Sequence, residues 1–179
     1  MKQLNIISLA LVLAVIVYII TKEVSSPPDR IGVVEMEKLV YDFQGMKDAT
    51  VEYQKKMTNW NNQSDSLKQK LNNLYQEMQM DSINGDREKL KKNQQKFYYL
   101  QKSYYEYTQK INEKAKQDDQ DMTIGILNQL KGFMADFSKE NGYDIIIANT
   151  QVQNVGYVNK QNDITQELVE FSNKKYSGE

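Results

Sequence analysis

The chain contains no cysteine and no histidine among its 179 residues. The missing cysteine removes thiol nucleophiles, thiolate metal sites and any disulfide framework. The missing histidine removes imidazole bases and imidazole metal ligands. Proline is almost absent: Pro27 and Pro28, side by side, are the only two. The long proline-free stretch that follows suits long helices, because proline breaks a helix interior. No Gly-rich phosphate loop and no convergent polar cluster is outlined, so catalysis is not expected and no cofactor is implied. What the chain does have is Gln, Asn, Lys, Met and Tyr in quantity, a composition too polar for one thick core and suited to thin, solvated helices.

The net charge of -1 conceals an asymmetry. Residues 52–116 carry 13 Lys/Arg against 8 Asp/Glu, whereas residues 117–179 carry 5 against 10. In an extended molecule a basic middle steers acidic partners, although a solvated face with chance clustering gives the same count. The basic region is too mild and diffuse for a nucleic-acid site, and no nucleic-acid partner is expected.

An apolar run from Ile6 to Ile20 is broken only by Ser8 and Tyr18. Its length fits a signal-peptide core or, extended over residues 4–21, a short membrane span. The one candidate cleavage site, after Val24-Ser25-Ser26, would place Pro27 next to the cut. That favours an uncleaved inner-membrane anchor over a cleaved signal; both readings export the body of the chain. Residues 1–29 are thus a targeting segment plus a linker stiffened by the two prolines.

Residues 30–36 are β-branched and short, and the pattern predicts a strand. The period then changes to seven. Phe43, Thr50, Met57, Ser64, Leu71 and Met78 alternate with Met46, Tyr53, Trp60, Leu67, Leu74 and Asp81 at spacings of three and four. Nine of these twelve are apolar, which predicts a coiled-coil seam over an outgoing helix 37–81, about 68 Å long. Trp60 and the methionines fit as plain seam packing. The repeat ends at Asp81, and residues 82–86 with Asn84-Gly85 form a turn. The seam resumes at Leu90, Phe97, Leu100, Tyr104, Tyr107 and Ile111 on a return helix 87–140, with Asp86 as its cap. Two such helices joined tightly fold back as an antiparallel hairpin.

Beyond Ile111 the seam falters through a polar stretch, 112–121, that predicts a stutter or soft joint. Asp118, Asp119 and Asp121 lack the pattern of a calcium loop and are expected to be a solvated acidic joint, with no metal. Apolar residues from Met122 to Phe137 then crowd every face, so here the arm enters a body. Gly142 ends the helix. Residues 143–148 and 155–158 read as a strand hairpin. Asp163, with Gln166 completing a capping box, starts a last helix over 163–172, followed by a tail, 173–179.

The order is strand, long helical hairpin, two strands, short helix. It resembles the Skp/OmpH family of periplasmic chaperones over residues 30–172. The resemblance lies in Ile31-Gly32-Val33-Val34-Glu35-Met36-Glu37-Lys38-Leu39, in Asn141-Gly142-Tyr143-Asp144-Ile145-Ile146-Ile147, and in the segment centred on Asp163-Ile164-Thr165. It implies an α+β, mainly α fold with a coiled-coil arm projecting from a small β-body. It also implies a homotrimer whose arms hold unfolded outer-membrane proteins without ATP. Ile31, Val33, Ile145, Ile147, Val155, Tyr157 and Leu168 would build the body and its oligomer contacts. Short strands with open edges make self-association attractive in their own right. The chain departs from the family in its slightly acidic balance and in the apparent anchor.

A holdase needs weak, adaptable contacts. Tyr98, Tyr99 and Tyr105 fall off the seam, with Lys91, Lys92, Lys96 and Lys102 around them. Tyrosine offers apolar area with a polar tip at little entropy cost, so these residues are candidate client contacts. The plain alternative is that the tyrosines only extend the arm surface. At the level of function, the alternative is an anchored coiled-coil adaptor of the cell envelope.

Overall fold

The computed structural model describes residues 14–16, 18, 29–150 and 155–179. Strand β1 (Ile31–Glu35) runs into helix α1 (Met36–Asp42), and helix α2 (Gln44–Ile83) follows after a single residue. Helix α3 (Arg87–Asn141) returns to strand β2 (Ile145–Asn149), and helix α4 (Thr165–Ser177) closes the chain.

The two strands are parallel, in register from Ile31 opposite Ile145 to Glu35 opposite Asn149. A parallel pair needs a crossover, and here the crossover is the whole arm. The other edge of β1 is taken by residues 162–164: the Val33 N–H donates to Asn162 O, and the Ile164 N–H donates to Val33 O. The expected second strand at 155–158 is therefore not formed. β2 finds its partner at the far end of the chain, and Gly156 weakens the short run that was to pair with it. Instead the Val155 N–H donates to the Asn149 side chain, and Tyr157 stands 83% exposed.

The outgoing helix is interrupted at Phe43, whose backbone is extended (φ -69°, ψ 126°). Phe43 is consequently not a seam residue. The break turns its ring into the body core, fully buried, with edge-on contacts to Phe133 and Tyr176. Val34, Leu39, Ile126, Leu130, Phe137, Ile164, Leu168 and Val169 complete that core. Burying this cluster is what allows so little sheet to anchor so long an arm.

The arm is two helices of 40 and 55 residues, about 60 and 80 Å long. At its tip Gly85 takes a positive φ of 71°, which the turn requires. Asp86 caps α3 by accepting from the Lys89 N–H, and the Lys89 ammonium holds the Asp86 carboxyl below its usual range. At the other end Gly142, also left-handed, closes α3. Arg30 sits on that terminus: its guanidinium donates to Asn141 O and lies 4.1 Å from the Tyr143 ring centre. A cation there complements the helix dipole.

α3 shows no break at 112–121. Its inward positions shift from alternating spacings to 107, 111, 115, 118, 122 and 126, which is a stutter in an intact helix. The seam continues through it in polar form. The Tyr53 hydroxyl donates to Ala115 O, and the Lys56 ammonium reaches Asp118 at 3.0 Å. α4 extends to Ser177, beyond the expected end at 172. Asp163 does accept from the N–H and hydroxyl of Thr165, but Gln166 bonds Glu170 instead of completing a box.

Candidate functional site

The seam orients everything that the arm can offer a partner. Met46, Tyr53, Met57, Trp60, Leu67, Leu71, Leu74 and Met78 are half-buried on α2, as are Leu90, Phe97, Leu100, Tyr104, Tyr107 and Ile111 on α3. Both ladders are only half covered because two helices shield one another on a single side. The Tyr107 hydroxyl spends its polar tip across the seam, on Trp60 O and the Gln63 side chain.

Pinning those positions inward turns the next ones outward. Tyr98, Tyr99 and Tyr105 are 63%, 68% and 64% exposed on α3. The Tyr98 and Tyr99 rings meet edge to face at 5.6 Å. Lys91, Gln94 and Gln95 line a shallow depression with these two tyrosines. Lys92, Lys96 and Lys102 are also exposed, Lys102 facing Glu106 at 3.8 Å. The result is a solvated stripe of rings and ammonium groups, able to make many weak contacts.

Sequence reading missed three features. Tyr75 on α2 is 53% exposed beside Phe97 and widens the aromatic surface across both helices. Near the tip, Met80 and Ile83 are exposed. At the arm root a cavity of about 730 Å³ is lined by Met36, Val40, Met46, Val51 and Leu127 among others. It lies between α1, α2 and α3 beside the break at Phe43, which heptad spacing does not foretell.

In the body, Ile31, Ile145 and Ile147 are exposed on the sheet face turned away from the helices, while Val33 is buried. Leu168 is fully buried within its own chain and so is a core residue, not an oligomer contact. Val155 is half-buried and Tyr157 projects from a loop.

Asp118 is an inward ion-paired residue and not part of a solvated acidic joint: Lys56 first, then Lys114, hold its carboxyl below the usual range. Among the described residues no cluster of acidic groups is placed to hold a metal ion, and no helix is long and apolar enough to cross a membrane. The expected anchor at residues 4–21 falls almost entirely outside the described residues.

No curated protein matches the chain significantly. The sequence profile of the family described as "Outer membrane protein (OmpH-like)" matches residues 30–171, from the start of β1 into α4. The match spans the body, both arm helices and the closing segment that pins β1, and with it the chain belongs to the OmpH-like outer membrane protein family.

Proposed function

We propose that this chain is an ATP-independent holdase for unfolded outer-membrane proteins, working in the periplasm. The family is one of periplasmic chaperones rather than enzymes. The observation that carries the reading is the arm itself. It is a hairpin some 60 Å long whose outward face holds Tyr98, Tyr99 and Tyr105 among lysines. Chains that later form barrels alternate apolar and polar residues. A surface of amphipathic rings and mobile cations meets both kinds without demanding one geometry.

Three copies would join through the uncovered sheet face of Ile31, Ile145 and Ile147, leaving three arms around a cavity. Residues 4–21 would tether the assembly to the inner membrane. Light scattering of a urea-diluted outer-membrane barrel protein tests the reading, with residues 27–179 added and the oligomer mass measured in parallel. Suppression near one trimer per client, without nucleotide, supports it. A folded, helical sample that suppresses nothing overturns it in favour of an envelope adaptor with one folded partner.

A further inference from the structure

Helix α2 begins without a cap of its own. The residue before it is Phe43, whose side chain accepts nothing, and it is also the residue at which α1 ends. Helix ends leave backbone groups without partners, and these must be met from elsewhere. Here α4 meets two of them, sharing Asp42 O with the Lys47 ammonium, which donates to it at 3.3 Å. The Asn173 side-chain oxygen accepts from the Gln44 N–H at 2.7 Å. Its amide nitrogen donates to Asp42 O at 3.3 Å. One side chain thus grips the last turn of α1 and the first turn of α2 from outside both.

The same helix holds the neighbourhood at three further points. Thr165 Oγ1 accepts from the Glu35 N–H, at the junction of β1 and α1. The Tyr176 hydroxyl donates to Asp48 on the second turn of α2. The Tyr176 ring lies edge-on to Phe43 at 5.3 Å, where Gly45 leaves the space that both rings need.

We propose that α4 is a clamp that fixes the direction in which the arm leaves the body, with Asn173 as its positioning residue. The mechanical reason lies in the two legs of the arm. α3 runs unbroken from the tip into the core, whereas α2 is interrupted where it meets the body. Bending the arm requires the two legs to shift against each other at the root, and only the interrupted leg can give way. The contacts of α4 oppose that shift. Leverage makes small changes visible: Asp65 lies about 32 Å along α2 from Gln44, so a swing of about 10° moves it by about 5.5 Å. The clamp acts on the free protein, so its test is independent of client binding.

The absence of cysteine allows clean labelling. Spin labels at Asp65→Cys and Lys139→Cys, diluted with unlabelled protein, report the distance from the middle of the arm to the body. Asn173→Ala should broaden this distribution about twofold with helicity unchanged. Asn173→Asp keeps the acceptor for Gln44 but loses the donor to Asp42 O, so it should narrow the distribution only part of the way back; an Asp variant as broad as the Ala variant overturns the capping of Gln44. Tyr176→Phe loses only the bond to Asp48 and should broaden the distribution less, and it carries the test alone should Asn173→Ala not fold. Variants that lower Tm at unchanged width overturn the clamp and leave α4 a packing element.

Discussion

The side-chain amide of Asn93 donates to the carboxylate of Asp81 at 2.8 Å, across the seam near the arm tip. Asn93 is 8% exposed, so the pair is a polar plug between the apolar positions Met78 and Leu90 of the seam. A polar residue at one seam position fixes register at a cost in stability. Asp81 is thus the last seam position of α2, filled by a group that Asn93 meets from across the seam.

Asn93→Ala strands the Asp81 carboxylate and should lower stability by about 1–2 kcal/mol in urea unfolding followed by circular dichroism. The double change Asp81→Leu with Asn93→Leu should raise it instead, because well-packed apolar groups replace a partly desolvated pair. A destabilised double variant would show that the pair contributes more than register.

Gly45→Ala sets two effects against each other. Alanine in a helix gains about 1 kcal/mol over glycine from propensity. A Cβ at this position, however, runs into the Phe43 ring and comes within 3.1 Å of Tyr176. Phe43 is fully buried and cannot step aside, and overpacking a core costs about 1–3 kcal/mol. The net change should be a lower Tm; a raised Tm would mean that the ring has room to move.

Asp118 ties stability to acid. Its carboxyl is held below the ordinary value by Lys56 first and Lys114 second. A depressed folded-state pKa means that the contribution is present above about pH 4 and is lost as pH falls through the lower, folded value. Asp118→Asn should therefore lower the urea midpoint at pH 7, and the deficit should shrink steadily as the pH falls below about 4. Added salt should shrink the difference at pH 7, since both lysines are largely exposed. An equal loss at every pH would assign the effect to packing instead of charge.

The arm was legible because its physics is local. Spacings of three and four from Met46 to Met78, and from Leu90 to Ile111, place those residues inward wherever a second helix lies alongside. Asp86, Gly85 and Gly142 act within a few residues of their own position. The body was less legible because its contacts join the two ends of the chain. Nothing near Phe43 announces that Phe133 and Tyr176 will make breaking a helix worthwhile. Nothing near Val155 announces that β2 is already paired with β1. Asn173 was invisible for the same reason, its partners lying some 130 residues away. Leu168 was expected in the body or its oligomer contacts, but sequence alone does not say whether the same chain or another copy covers it.

The tyrosine stripe yields the sharpest functional prediction. Tyr98, Tyr99 and Tyr105 are exposed and off the seam, so removing their rings leaves the two ladders intact. Serine and tyrosine have similar helix propensity, so the triple change to Ser should leave helicity and Tm nearly unaltered. Each ring offers a client amphipathic area, and the loss of three from every arm should compound when a client touches several arms at once. Retention of an unfolded barrel protein, followed by dissociation of a fluorescent client, should weaken about tenfold or more. Changing Lys91, Lys92, Lys96 and Lys102 to Gln in the same assay should weaken capture chiefly at low salt, because exposed charges steer encounter more than they hold. Retention that survives the triple serine change would move client contact away from this stripe, to the apolar root groove around Met36, Met46 and Leu127.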